Sequence, residues 1–353
     1  MKIRLSPPQI IFEIGKRQNQ EDFIYASDPG KGGRLFILCD GMGGHEKGEV
    51  ASRIIAEETA NFLNHHLPED GLLSDELFEK AFEYACQRLD QQDNDNGGVR
   101  KMGTTFTCLC FHKGGCLAAH VGDSRIYHIR QRRMLYKSKD HSLVVELYQS
   151  GEISFSEMST SSQKNVITRA VMPGKDNRVK TDIVHINDIQ PGDYFYLCSD
   201  GMMEQMGDDE LIDIIARDIT GEEKKRLLIA AAAENRDNHS AILLKVDDVE
   251  REQGDNNYLG DESVSPFNAL LMRRDDDDEE TVTMISPEIN RQVKQEADDA
   301  TAVMKSARAD KLGKRVTRPT VKADDGGKFK SWMVTVITAI IAAALAVVLF
   351  YIL

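Results

Sequence analysis

Leu35-Phe36-Ile37-Leu38-Cys39-Asp40-Gly41 is an unbroken apolar run that stops at a carboxylate and a glycine. The pattern returns as Tyr194-Phe195-Tyr196-Leu197-Cys198-Ser199-Asp200-Gly201. A short continuous apolar run predicts a strand buried on both faces. One that ends in Asp-Gly carries a carboxylate to the margin of the core. Taken singly, each Asp-Gly is the common signature of a turn. Taken together, the two suit strands that approach one site. Glu21-Asp22, Asp123 and Asp237-Asn238 add further carboxylates beside apolar runs. Convergent oxygen ligands without a matching His or Cys set suit hard divalent cations such as Mg2+ or Mn2+.

Working outward, Ile10–Ile14, Phe106–Phe111, Leu117–Val121, Arg125–Ile129 and Ala241–Val246 also read as strands. Apolar residues at 50, 51, 54, 55, 60 and 63 form a helical stripe over Glu46–Leu63, and Leu73–Leu89 predicts a second helix. Asp208–Ala216 and Glu222–Ala233 supply a later pair. Runs of strands with helices in pairs predict an α+β fold built on an antiparallel sandwich rather than a doubly wound sheet.

The chain has 353 residues and a net charge of −14, which argues against non-specific nucleic-acid binding. Its six cysteines lie mostly inside apolar runs and form no C-x-x-C pair, and no secretory signal precedes them. They read as buried thiols in a reducing cytosol.

Composition divides the chain into a folded region, 1–248, a polar linker, 249–330, and an apolar terminal segment, 331–353. The linker carries the acidic block Asp275–Glu280 and no sustained periodicity, which predicts disorder. Trp332–Leu353 contains no charged residue and is long enough for one transmembrane helix. Between 305 and 330, nine Lys and Arg face three Asp, a net of six positive charges beside that segment. The positive-inside rule then places the folded region on the cytoplasmic side of a single-pass, C-terminally anchored protein.

Several familiar signatures fail. Gly43–Gly48 imitates the glycine spacing of a phosphate-cradling loop, but Glu49 stands where Lys is required. No Cys has an Arg six positions on, and neither H-E-x-x-H nor G-x-S-x-G occurs. What remains is an ordered series. It comprises Arg17-Gln18-Asn19-Gln20-Glu21-Asp22, Asp40-Gly41-Met42-Gly43-Gly44, Gly103-Thr104-Thr105, Val121-Gly122-Asp123-Ser124-Arg125, Asp140-His141-Ser142, Ser199-Asp200-Gly201 and Arg236-Asp237-Asn238. In this order the motifs closely resemble the protein phosphatase 2C family, over about residues 9 to 248.

The resemblance implies a four-layer αββα sandwich, two antiparallel sheets flanked by helix pairs. It implies metal-dependent hydrolysis of phosphoserine and phosphothreonine in proteins, by a water or hydroxide activated between two Mn2+ or Mg2+ ions. Carried over by position, Asp40 bridges the ions, Asp200 and Asp237 complete the first, and Glu21 with the Gly41 carbonyl completes the second. Asp123 serves a third, weaker ion together with Asp200. The same resemblance makes Arg17 and Asp22 the catalytic residues, Arg17 holding the substrate phosphate and Asp22 orienting metal-bound waters. Gly41 and Gly201 are expected to let backbone approach the ions. Ser124, Asp140, His141 and Thr168-Arg169 are expected to brace the fold.

One departure stands out. Many eukaryotic relatives carry His directly after the first Asp-Gly as the group that protonates the leaving oxygen, and here that position is Met42. The resemblance is therefore to bacterial-type enzymes, and the proton donor stays open between a metal-bound water and none. The Ser-rich stretch Gly151–Asn165 falls where the family carries a mobile flap that affects substrate choice.

Phosphoserine and phosphothreonine proteins are the expected partners, with a serine/threonine kinase or a phosphothreonine-binding domain as candidates. In the linker, Asp278–Met284 and Asp298–Met304 repeat an acidic-then-Thr-then-apolar pattern, readable as chance similarity or as phosphorylation sites. A pseudophosphatase that binds phosphoproteins without hydrolysis is the rival from another class.

Overall fold

A computed structural model describes residues 1–43, 47–68, 71–95 and 102–251. The expected linker from 252 onward, its repeated Thr motifs and the expected span 331–353 lie outside the described residues, as do Gly44 and His45. Among the described residues no helix is long and apolar enough to cross a membrane.

The chain opens with β1 (Lys2–Leu5), β2 (Gln9–Glu13), β3 (Phe23–Ala26), β4 (Leu35–Cys39) and the short β5 (Gly41–Met42). Two helices follow, α1 (Lys47–His66) and α2 (Asp75–Asp95). Next come β6 (Gly103–Thr104), β7 (Phe106–His112), β8 (Gly115–Val121), β9 (Arg125–Arg130) and β10 (Arg133–Lys137). Short helices α3 (Leu143–Gln149) and α4 (Phe155–Thr160) precede β11 (Asp182–Ile186) and β12 (Tyr194–Cys198). Helices α5 (Asp208–Ile215) and α6 (Gly221–Ala232) and the long strand β13 (His239–Glu250) complete the described part.

One sheet runs β1-β13-β12-β9-β10, with β2 also paired to β13, and the other runs β11-β8-β7-β4-β3. All the pairings are antiparallel. The continuous apolar runs are explained by where β4 and β12 sit. In β4, Leu35, Ile37 and Cys39 face a core shared with α1 and α2, while Phe36 and Leu38 face the layer between the sheets. In β12, Phe195 and Leu197 enter that same middle layer, and Tyr196 and Cys198 pack under α5 and α6. Both strands are therefore buried on both faces, and the layers are helices, sheet, sheet, helices. Phe36, Ile37 and Leu38 are fully buried, so truncating Leu38 to Ala should cost about 2–5 kcal/mol.

All six cysteines are free and buried, in agreement with the thiol reading. The last strand runs two residues past the expected domain boundary, because Glu250 pairs with Lys2. The stretch expected to be a flexible flap contains α4, closed by a capping box in which Ser154 and Glu157 bond each other's backbone N–H groups.

Candidate metal centre

Strand direction brings the predicted carboxylates together. β4 and β8 both pair antiparallel to β7, so they run the same way and release Asp40 and Asp123 at one end of their sheet. β3 starts opposite the end of β4, with Phe23 across from Cys39, which sets Glu21 and Asp22 at that same end. In the other sheet Cys198 pairs with Ala241, so Asp200 leaves β12 where Asp237 enters β13.

Hydrogen bonds then fix the loops. The Asp40 backbone N–H donates to Thr105 Oγ1 at 2.9 Å, and Thr104 Oγ1 and the Thr105 N–H donate back to the Asp40 carbonyl at 2.9 and 2.8 Å. Thr105 Oγ1 also lies 2.7 Å from Ser124 Oγ, tying the Asp40 turn to the Asp123 turn. Asn238 Oδ1 accepts the Glu21 N–H at 2.8 Å, while its Nδ2 donates to the Ile14 and Asn19 carbonyls. Asn235 Nδ2 donates to the Gly201 carbonyl at 2.6 Å. The two glycines are required by the close approach of neighbouring backbone. A Cβ on Gly41 would meet the Glu21 and Gly48 carbonyl oxygens at 2.4 Å, and one on Gly201 would meet the Asn238 oxygen at 2.0 Å. Neighbouring backbone by itself excludes a side chain there.

The result is a ring of carboxylates short of positive charge. Burial pushes the Asp40 carboxyl well above its usual range, with Asp22, Asp200, Asp123 and Asp237 adding repulsion. Asp123 is pushed up to about 8 by burial, then by Asp200 and Asp140. Asp22 is raised to about 7, chiefly by burial, although Ser199 Oγ donates to its Oδ2 at 2.9 Å. Asp200 is raised by burial and by Asp237, and Glu21 is raised by burial against the pull of Arg17. Asp22 Oδ1 and Asp123 Oδ1 are buried with no hydrogen-bond partner. Unpartnered buried carboxylate oxygens facing other carboxylates are the donor set a hard dication requires. The residues present fit Mn2+ or Mg2+.

Arg17 reaches this ring, its Nη2 2.6 Å from Asp237 Oδ2, with the side chain 55% exposed. Its guanidinium is held above the usual value because Asp237, Glu21 and Asp40 outweigh the cost of burial. Arg125 does not join the ring; it pairs with Asp140 through Nε and Nη2. A groove of about 660 Å3 opens beside the carboxylates, lined among others by Arg17, Asp123, Asp200, Met158 and Lys164. The stretch Gly151–Asn165 therefore does border the site.

Three side chains converge nearby that no spacing in the sequence announced as a group. The ligand-type atoms of His120, His141 and Asp182 lie within 4.8 Å of one another. His120 on β8 and Asp182 on β11 are cross-strand partners. The only sequence signal for this cluster is Asp140-His141-Ser142, since cross-strand partners 62 positions apart leave no periodic trace.

A profile described as Protein phosphatase 2C matches residues 13–230. Protein phosphatase PhpP of Streptococcus pneumoniae is 30% identical over 247 residues, which span 69% of this chain and 98% of PhpP. Serine/threonine protein phosphatase PstP of Mycobacterium tuberculosis is 30% identical over 233 residues, 66% of this chain and 43% of PstP. The crystal structure of the M. tuberculosis serine/threonine phosphatase superposes with a TM-score of 0.60 at 26% identity, covering 69% of this chain and 99% of that one. The catalytic domain of PstP in complex with two manganese ions gives 0.57 at 26% identity, with the same coverage.

Proposed function

The chain belongs to the protein phosphatase 2C family, and on that premise we propose how its carboxylate ring and its C-terminal segment are used. As a member of that family it is a metal-dependent protein serine/threonine phosphatase. In our reading Asp40 would help to hold both of two Mn2+ or Mg2+ ions. Asp200 and Asp237 would hold the first, Glu21 and the Gly41 carbonyl the second, and Asp123 with Asp200 would hold a third, weaker ion. When bound, such ions lower the pKa of a water and neutralise charge on the phosphoryl oxygens.

The chain's own groups supply the rest. Arg17 presents a planar fork at the mouth of the groove, suited to hold two phosphate oxygens and orient the ester. Asp22, braced by Ser199 and raised to about 7, is placed to accept a hydrogen bond from a reacting water near neutral pH. Met42, at the position of the eukaryotic histidine, offers no proton. The observation that carries this reading is the convergence of six acidic residues from five loops, with unpartnered buried oxygens on Asp22 and Asp123.

The proposed setting is the cytosolic face of a membrane, with a catalytic domain over 1–248, a linker over 249–330 and a span over 331–353. Its support is the uncharged segment Trp332–Leu353 and the basic stretch before it. Tethering raises the local concentration of membrane-bound phosphoproteins, a serine/threonine kinase or a phosphothreonine-binding protein among them. The full chain, in detergent micelles, should release phosphate from a phosphothreonine peptide in proportion to added Mn2+, and Asp200→Asn should stop it. Turnover that ignores both metal and the substitution would overturn the reading. Deleting 331–353 should move the protein from the membrane to the soluble fraction, and an unchanged distribution would remove the anchor.

A further inference from the structure

The His120, His141 and Asp182 cluster has the composition of a metal site, but its hydrogen bonds assign it another task. His120 Nε2 lies 2.7 Å from the Lys139 carbonyl, which only accepts, so the ring proton sits on Nε2. His141 Nδ1 lies 3.0 Å from the Gly122 backbone nitrogen, which only donates. The neutral His141 ring therefore carries its proton on Nε2, facing Asp182 Oδ2 at 3.1 Å. His141 thus has no nitrogen free for a metal, one accepting from Gly122 and the other bearing the proton, and His120 alone keeps a bare, buried Nδ1. A cation is moreover already in place: Arg169 Nη1 donates to Asp182 Oδ1 at 3.0 Å and stands 2.8 Å from Nε2, a contact between two donors that is not a hydrogen bond, so Asp182 Oδ2 is the one acceptor beside that nitrogen.

What the cluster grips is one residue. His141 donates its backbone N–H to the Gly122 carbonyl at 2.9 Å and accepts the Gly122 N–H on its ring. Gly122 stands at φ +102°, where side chains are strained, and a Cβ there would meet Thr105 Cγ2 at 2.7 Å. The next residue is Asp123. From the other side, the Thr168 N–H donates to the His141 carbonyl at 2.9 Å, and Val171 pairs with Thr104 through reciprocal backbone bonds of 3.0 and 2.9 Å. An unbroken series of hydrogen bonds thus runs from Arg169 and Asp182 through His141 to the backbone that carries Asp123.

We propose that Asp182, His141 and Gly122 form a tautomer-locked relay that sets Asp123 against Asp40 and Asp200. His141 and Asp182 are then positioning residues of the phosphatase reaction. The inference rests on the reading of Asp123 as a metal ligand given above. It extends the bracing role expected for His141 and Arg169 by naming what they brace and for what purpose.

The test begins without catalysis. In the 15N-labelled, metal-free full chain in micelles, the two-bond 15N–1H spectrum of His141 should show the Nε2–H tautomer, with Nδ1 shifted as an acceptor. An Nδ1–H tautomer would overturn the relay. His141→Asn places an amide oxygen near the Nδ1 position, whereas His141→Leu supplies no acceptor. His141→Leu should speed hydrogen exchange at the Gly122 amide, raise the Mn2+ concentration for half-maximal rate by about tenfold and leave KM for the peptide within about twofold. His141→Asn should recover most of both losses. In an Asp123→Asn background the same His141→Leu change should have no further effect on the metal requirement. An equal loss in both backgrounds, or no recovery in His141→Asn, would reduce His141 to a brace of the fold and overturn the proposal. Should His141→Leu fail to fold, Asp182→Asn replaces it, judged by the same tautomer and Gly122 exchange. A wild-type protein with the Nε2–H tautomer and no metal-dependent turnover would sink the ligand reading while leaving the relay standing.

Discussion

Strand β12 has a buried or half-buried aspartate beyond each end, and the two could hardly be treated more differently. Before it, Asp193 is fully buried and completely served. Arg130 donates to both of its oxygens, at 2.7 and 3.0 Å, while His128 Nε2 and the Gln190 N–H add bonds of 2.8 and 2.9 Å to Oδ2. Its carboxyl is held down at about 2, since these bonds outweigh the cost of burial. After the strand, Asp200 joins Asp40, Asp123, Asp22 and Asp237, and its carboxyl is raised by burial and by its acidic neighbours. One end is a finished ion cluster that stabilises the sandwich. The other is an arrangement that the protein's own cations leave incomplete, which is how a fold keeps a place for something it must bind.

The sharpest way to break this contrast is to neutralise one aspartate at each end. Asp200→Asn should lower the metal-dependent rate by about three orders of magnitude, the effect of losing several kcal/mol of transition-state stabilisation. Stopped or steady-state phosphate release checks it, and the melting temperature of the metal-free variant should not fall. Asp193→Asn should do the opposite. It leaves Arg130 and His128 short of a partner, costs about 3–5 kcal/mol and lowers the melting temperature by roughly 10 °C. Its turnover per folded molecule should stay within about threefold of wild type at 25 °C.

Saturating Mn2+ sharpens the comparison from the ligand's side. At a hundred times its dissociation constant, an ion bound only by the folded state adds about 2.7 kcal/mol. Differential scanning fluorimetry should show a rise of roughly 5–10 °C in wild type, reversed by chelator and much reduced in Asp200→Asn. The last effect concerns pH. Carboxyls whose folded pKa lies above the unfolded value weaken the fold as they ionise. With Asp22 at about 7 and Asp123 at about 8, the metal-free protein should lose stability as pH rises from about 4 to 8. Asp193, held at about 2, contributes stability that is present above about 4 and lost only as pH falls towards 2. Melting curves from pH 5 to 8 should therefore slope downward without metal and flatten when Mn2+ is added.

The interior strands are legible in the sequence and the marginal ones are not, for a physical reason. β4 and β12, buried on both faces, carry continuous apolar runs whose ends were read to the residue. β1, β3, β10 and β11 leave no such trace, and all four stand at sheet edges. An edge strand such as Arg133–Lys137 buries little and so carries little pattern. The carboxylate ring was legible because each member sits in a short local motif and the strands impose convergence. The cluster behind it was not, because His120 and Asp182 meet only through the β8–β11 register. The glycines of the ring are legible as necessary, and the structure adds that the Glu21, Gly48 and Asn238 backbones already leave no room for a Cβ.

Strand β13 begins beside Asp237 and Asn238 and ends at Glu250, twelve residues later. At about 3.3 Å per residue its far end stands roughly 40 Å from the site. Anything grafted on just after Glu250, whether a fluorophore, an affinity handle or a solid support, would hang from the pole opposite the groove. Immobilised or labelled there, the catalytic domain should accept a folded phosphoprotein as readily as it does free in solution.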